Sequence, residues 1–191
     1  CSTRVLPAFR PDKAMAVETP EAYNTYLELL EQAADTDIVN YQDLLTALQK
    51  RHDFFHENGC RLSDHGLEQP YCEEFTDREI DDIFATVRSG KIVEISNVLQ
   101  FKTALMLDLA RMDAQRGWTQ QFHFGALRNT NDAALKKLGP DTGYDSIGDF
   151  EIGRPLAKFF NILSTEGNLA KTILYNVNPR DNELLAAMAG N

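Results

Sequence analysis

Four short strand-like runs, each separated from the next by helical sequence, constrain the fold of this chain more than any other feature; they are RVLPAF, CRL, TQQFHF and TILYNV. Intervening stretches such as YQDLLTALQKRHDFFHENG carry apolar residues at three- and four-residue spacing, which is typical of amphipathic helices. Strands joined through helices pair in parallel by right-handed crossovers, either in an open doubly wound sheet or in a closed barrel. The sequence therefore predicts an α/β protein with a parallel sheet.

The length of the chain limits how much of a barrel it can form. A closed (β/α)8 barrel needs roughly 250 residues, whereas this chain has 191. The chain opens without methionine, directly before a strand-like run, and stops inside a helical pattern, NELLAAMAGN. We therefore expect residues 1–191 to form part of one barrel domain that is cut at both ends.

Several helix boundaries carry their own signals. Thr19 followed by Pro20 marks a helix start, because threonine caps helix N-termini and proline suits the first turn. Gly59 is suited to end the next helix. Thr76 opens TDRE, a weak match to a capping box, and helical sequence is predicted from there to residue 117.

Charge, hydropathy and cysteine usage exclude several classes of protein. The 19 basic and 29 acidic residues give a net charge of −10, which opposes binding to nucleic acid, and no basic patch offsets it. No apolar run approaches the roughly 18 to 20 residues of a membrane span, and no signal segment opens the chain. Cys1, Cys60 and Cys72 form no CxxC pair, which argues against a disulfide scaffold and a structural zinc site. We expect a cytoplasmic protein without a nucleic-acid or membrane partner.

Polar side chains at the ends of the strand-like runs are the candidates for chemistry. In parallel sheets and barrels the carboxyl ends of the strands share one rim, where the connecting loops converge. Any one of these residues alone is more often a structural hydrogen-bonding group, so their convergence carries the argument. The candidates are Arg10, Ser63, Asp64, His65, His123, Arg128 and either Asn176 or Asn178.

Two other patterns are better explained by packing and turns. His52 and His56 have the spacing of a metal-binding pair, but HDFFH lacks the glutamate of an HExxH motif and no third ligand follows nearby. Asp141, Asp145 and Asp149 stand at four-residue intervals without the alternating oxygen ligands of a calcium loop. We expect the histidines to pack on a helix and the aspartates to serve turns and caps.

Several motifs together resemble those of a known enzyme family. RVLPAFRPDKAM, RHDFFHENGCRLSDHGLE, FHFGALRN, LGPDTGYDSIGDFE and YNVNPRDNE resemble, in the same order, the uronate isomerases (glucuronate isomerase) of the amidohydrolase superfamily. The resemblance runs through nearly the whole chain, yet family members are considerably longer. It implies a (β/α)8 TIM barrel of which this chain supplies about strands 4 to 7 with their helices.

The resemblance also implies a reaction and roles for five residues. Uronate isomerases convert D-glucuronate to D-fructuronate and D-galacturonate to D-tagaturonate in hexuronate catabolism, which requires a positioned base and stabilisation of negative charge on oxygen. His123 and Arg128 are the expected catalytic residues. Arg10, Asp64 and His65 are expected to bind substrate, with Asp64 orienting the His65 imidazole and the two arginines serving the substrate carboxylate and the oxyanion.

A metal site is implied by the resemblance but is incomplete in this sequence. The superfamily holds a divalent metal, often zinc, with a His-x-His pair after the first strand and an aspartate after the eighth. None of the four histidines of this chain are two residues apart. We expect these ligands to lie outside residues 1–191, so that the chain alone binds no metal in this way and does not turn over uronate.

An incomplete barrel also needs a partner, since it leaves sheet edges and an inner face open. We expect a homo-oligomer or association with the remainder of the barrel. Two other functions stay open from the sequence: a related metal-dependent hydrolase on the same barrel, and a non-catalytic sugar-acid binding domain.

Overall fold

A parallel sheet lies at the centre of the computed structural model, which describes residues 3–190. Its strands are β1 (Leu62–Gly66), β2 (Thr119–Phe124) and β5 (Lys171–Asn176), in the order β1–β2–β5. A small antiparallel pair is formed by β3 (Ala126–Leu127) and β4 (Ser146–Ile147). In the parallel sheet Gly66 is paired with His123, which is paired with Tyr175. The predicted α/β class with a parallel sheet is confirmed.

Helices connect these strands and cover one face of the sheet. The α-helices of the described residues are α1 (Pro20–Ala34), α2 (Tyr41–Glu57), α3 (Asp77–Arg88), α4 (Ile95–Arg116), α5 (Asp132–Leu138), α6 (Gly153–Thr165) and α7 (Asn182–Ala189). Short 3-10 turns span Asp12–Met15 and Pro179–Asp181. None of the helices between residues 3 and 190 is long and apolar enough to cross a membrane.

The first predicted strand is wrong over most of its length. Of residues 4–9 only Phe9 pairs with the sheet, through a parallel bridge to Ser63, while Val5 is 87% exposed. Pro7 has no N–H to donate to a neighbouring strand. The apolar side chains of this run are exposed to solvent, so pairing of the run with the sheet would bury little apolar surface. Phe9 nevertheless places the segment before Arg10 beside β1.

The helix boundaries follow the predicted signals with one exception. The Thr76 hydroxyl accepts a hydrogen bond from the Glu79 N–H, and the Glu79 carboxylate accepts one from the Thr76 N–H, so the capping box is present. The stretch from Thr76 to residue 117 is two helices rather than one. α3 stops before Gly90, whose φ of +82° lies in the left-handed region that glycine adopts readily.

The two faces of the parallel sheet differ in burial. Successive side chains of a strand point to opposite faces. Phe122 is buried against the helices, with the ring of Phe159 from α6 at 5.8 Å. Asp64, His123 and Tyr175 lie on the other face, where Tyr175 is 41% exposed. This open face carries the polar side chains that the sequence singles out.

A buried polar cluster ties α2 and α4 to β1. Asp113 of α4 is 1% exposed and accepts hydrogen bonds from the Ser63 hydroxyl at 2.5 Å and from His52 Nε2 at 3.1 Å. The His52 ring stacks on Trp118 at 3.8 Å, and the Trp118 indole N–H donates to His56 Nδ1 at 2.8 Å. Both histidines of HDFFH therefore pack in or beside the core, as the sequence predicts.

We predict that Asp113→Ala lowers the free energy of unfolding by about 3 kcal/mol or more, because it removes the acceptor of two buried donors. Urea unfolding of residues 1–191 followed by fluorescence measures this directly, since Trp118 is the single tryptophan of this chain and lies against His52. Asp81→Ala, an exposed substitution on α3, is the control and should change the free energy by no more than about 0.5 kcal/mol. Equal effects of the two substitutions would contradict this account of the core.

Candidate active site

A cavity of about 210 Å³ opens at the carboxyl ends of β1 and β2. Arg10, His123 and Arg128 all line it, together with Glu68 from the segment after β1. Arg10 is far from His123 and Arg128 in the sequence, and the three meet because the parallel strands end at the same rim.

Asp64 joins two of these residues. One of its carboxylate oxygens, Oδ2, pairs with Arg10 Nη1 at 3.0 Å, and the other, Oδ1, lies 2.7 Å from His123 Nε2. An ionised carboxylate only accepts hydrogen bonds, so Nε2 of His123 carries the proton. In the neutral ring Nδ1 is then unprotonated and can take up a proton.

The face of the His123 ring also has a fixed neighbour. Tyr175 of β5 stacks on it with ring centroids 4.3 Å apart and planes within 5°. The Tyr175 hydroxyl donates to Gln121 Oε1 at 2.8 Å, which fixes the tyrosine in turn. Sequence reasoning missed Tyr175, because its place beside His123 follows from the register of β2 and β5 and no local motif marks it.

His65 does not line the cavity. It is 1% exposed, on the face of β1 opposite to Asp64, and its ring stacks on Phe122 at 5.6 Å. The expectation that Asp64 orients His65 is wrong: Asp64 pairs with His123, and His65 pairs with Asp12. The reason is that residues 63–65 belong to β1 instead of following it, so that adjacent side chains point to opposite faces.

Asp12 is a second residue that sequence reasoning missed. It accepts hydrogen bonds from His65 Nδ1 at 2.8 Å, from the Gly66 N–H at 2.8 Å and from Arg10 Nε at 3.2 Å. Burial raises the pKa of the Asp12 carboxyl, but the hydrogen bonds and charge of these partners outweigh it, and the net shift of the pKa is downward. Asp12 is therefore an anion at neutral pH.

Arg128 is placed by the loop that follows β2. Its Nη1 donates to Asp145 Oδ2 at 2.5 Å, and the Asn129 N–H donates to the other oxygen of Asp145 at 2.9 Å. Both hydrogen bonds lower the pKa of the Asp145 carboxyl, and the one from the Asn129 N–H has the larger effect. Pairing of β3 with β4 brings Asp145 back to this loop. Asp145 thus serves the turn, as expected, and also orients Arg128.

The asparagines after β5 are engaged in the chain turn. Asn178 Oδ1 accepts from the Arg180 N–H at 3.1 Å, and its Nδ2 donates to the Gly148 carbonyl at 3.1 Å. Asn176 Oδ1 accepts from the Asn178 N–H at 3.2 Å. These bonds give both residues a structural role.

The described residues do not form a metal site of their own. Between residues 3 and 190 no group of three or more His, Cys, Asp or Glu side chains is placed to hold a metal ion. Asp64 has both oxygens engaged by Arg10 and His123, which leaves it poorly suited as a ligand. What these residues offer is a pair of guanidinium groups and an imidazole around one small cavity, a set suited to an anion from which a proton must be moved.

Comparison with known proteins identifies the family. A family model described as glucuronate isomerase matches residues 1–191. Uronate isomerases of Cellvibrio japonicus and Phocaeicola vulgatus are 53% and 51% identical to the chain, over 99% and 98% of its length. The chain spans about 40% of the length of each of these relatives.

Solved structures give the same answer for the fold. The crystal structure of a uronate isomerase from Thermotoga maritima superimposes with a TM-score of 0.89 at 31% identity, covering 96% of this chain and 40% of that one. A glucuronate isomerase from Caulobacter crescentus gives a TM-score of 0.83 at 25% identity, covering 93% of this chain and 36% of that one. The chain belongs to the glucuronate isomerase family.

Proposed function

We propose that this chain supplies part of the active site of an aldose–ketose isomerase that converts D-glucuronate to D-fructuronate, and D-galacturonate to D-tagaturonate, in hexuronate catabolism. The observation that carries the proposal is that Asp64 joins Arg10 to His123, and that both of these partners line the same cavity as Arg128. Family membership supports the reaction, and the charges and protonation of these side chains suit its chemistry.

The isomerisation moves a proton and a carbonyl group between neighbouring carbons. A proton leaves C2 and one arrives at C1, through an enediol-like intermediate, while the carbonyl moves from C1 to C2. The unprotonated Nδ1 of His123 is the group that handles this proton, because Asp64 holds the Nε2–H. Charge that develops on the substrate oxygens needs a fixed cation nearby, which the arginines provide.

The two arginines differ in how much of each guanidinium is free. Arg10 has Nε paired with Asp12 and Nη1 paired with Asp64. Only Nη1 of Arg128 has an acceptor among the described residues, so its Nε–Nη2 edge remains available for two parallel hydrogen bonds. Arg128 therefore binds the substrate carboxylate, and Arg10 offers its remaining nitrogen, Nη2, to a substrate oxygen.

In the whole protein this chain forms about strands 4 to 7 of a (β/α)8 barrel, as part of a single domain. The parallel order Phe9, β1, β2 and β5 supports consecutive barrel strands, and the open face with Asp64, His123 and Tyr175 corresponds to the barrel interior. The remainder of the barrel covers that face, and the protein assembles further as a homo-oligomer. It resides in the cytoplasm.

A divalent metal, zinc in our proposal, completes the site. Its ligands, a His-x-His pair and an aspartate in the related enzymes, lie in the part of the barrel outside this chain, since none of the four histidines in residues 1–191 are two residues apart. When bound, such an ion supplies Lewis-acid polarisation of substrate oxygens. The residues of this chain bind the sugar acid, orient it and move its proton.

The whole protein and residues 1–191 alone are predicted to differ in activity. The protein that contains this chain together with the rest of the barrel is expected to convert D-glucuronate to D-fructuronate, and a chelator is expected to abolish the conversion. Residues 1–191 alone are expected to be inactive. Metal-dependent turnover by residues 1–191 alone would contradict the proposal that the site is completed by the rest of the barrel. Hydrolysis without isomerisation by the whole protein would instead indicate a metal-dependent hydrolase. Uronate binding without turnover would indicate a non-catalytic binding domain.

A substitution of His123 in the whole protein tests the proton-transfer role. His123→Asn removes the proton acceptor and is expected to lower kcat by about 100-fold or more, the usual contribution of a general base. His56→Asn is the matched control, because His56 packs against Trp118 away from the cavity and its loss should leave kcat near wild type. Steady-state kinetics with D-glucuronate measure both, and a His123→Asn enzyme with wild-type kcat would contradict the proton-transfer role.

A further inference from the structure

The guanidinium of Arg10 lies directly against the end of β1. A Cβ atom built on Gly66 would be 2.1 Å from Arg10 Nη2 and 3.4 Å from Cζ. The φ angle of Gly66 is not in the positive region where only glycine is comfortable. A side chain at this position would occupy the volume of the arginine head group, so the guanidinium, which ends a flexible side chain, would have to move away.

Asp12 holds the same guanidinium through its Nε. One of its oxygens, Oδ2, accepts from both Arg10 Nε and the Gly66 N–H, at 3.2 and 2.8 Å. The carboxylate thus fastens the arginine to the backbone at the end of β1. Because Asp12 is an anion at neutral pH, both contacts are charge-assisted.

His65 fixes Asp12 from inside the protein. Its Nδ1–H donates to the second oxygen of Asp12, Oδ1, at 2.8 Å. The imidazole is buried and stacked on Phe122, so it has little freedom to turn. A buried histidine that does not itself line the cavity therefore orients a carboxylate that orients a cavity residue.

We infer that Gly66, Asp12 and His65 are positioning residues for Arg10, which they hold so that its Nη1 meets Asp64 while the residue lines the cavity. The inference rests on the proposed function for its kinetic consequence. Since Asp64 also holds His123, a displaced Arg10 changes both the binding of the sugar acid and the setting of the imidazole. None of the three positioning residues needs to touch the substrate.

The kinetic test uses Gly66→Ala in the whole protein. The added methyl group displaces Arg10, so KM for D-glucuronate is expected to rise by about tenfold or more, as for the loss of one charge-assisted hydrogen bond, with the fold retained. Gly190→Ala is the matched control, because its Cβ would meet only ordinary contacts, the nearest at 3.6 Å, and its φ is −92°. An unchanged KM in Gly66→Ala would overturn the inference.

A double-mutant cycle separates displacement of Arg10 from a general structural defect. Lysine at position 10 has no Nη2 and leaves room for the methyl group, so adding Gly66→Ala to Arg10→Lys is expected to cost little beyond Arg10→Lys alone. If the effects of the two substitutions on kcat/KM simply multiply, Gly66 acts elsewhere and the inference fails.

A third measurement does not depend on activity. In protein labelled with ¹⁵N-arginine, the Nε–H of Arg10 is expected to give an NMR signal that is protected from exchange with water. This signal should be lost in Asp12→Asn and weakened in His65→Phe. The measurement therefore tests the inference even if Gly66→Ala fails to fold. A signal that survives Asp12→Asn overturns the positioning role. Wild-type protein that shows the signal but does not isomerise uronate instead overturns the proposed function and leaves the positioning intact.

Discussion

The carboxylate of Asp64 is the interaction on which the rest of the site depends. Its two oxygens pair with different residues, Arg10 at 3.0 Å and His123 at 2.7 Å, so one side chain sets both the position of a cation and the protonated nitrogen of an imidazole. Asp64 can do this because it lies on β1 between the segment that carries Arg10 and the neighbouring strand β2. A short parallel sheet therefore organises polar groups that are far apart in the sequence.

Adjacent side chains of β1 point to opposite faces of the sheet, so buried polar residues lie behind the ones that face the cavity. Asp64 faces the open side of the sheet, and His65 faces the helices, where it pairs with Asp12. His123 thus pairs with Asp64 and His65 with Asp12, and both of these carboxylates also pair with Arg10. The buried pair gives rigidity to the exposed one, since Asp12 is tied to the backbone of β1 as well as to His65.

Sequence reasoning placed Arg10, His123 and Arg128 at one rim because parallel strands end together, and this needs only the order of strands and helices. It ended β1 at Leu62, before Ser63, Asp64 and His65, and this error put His65 on the same side as Asp64. Asp12 and Tyr175 could not be found from local patterns. Their contacts depend on the path of a 3-10 turn beside β1 and on the register between β2 and β5, which are set by packing of the whole chain.

The most direct test of this account is a crystal structure of the whole protein with D-glucuronate bound. The account predicts that the sugar carboxylate lies within about 3 Å of Nε and Nη2 of Arg128, while the C1–C2 end of the sugar faces Nδ1 of His123 and a sugar oxygen contacts Arg10. A sugar acid bound with its carboxylate away from Arg128, or with C1 and C2 out of reach of His123, would contradict it.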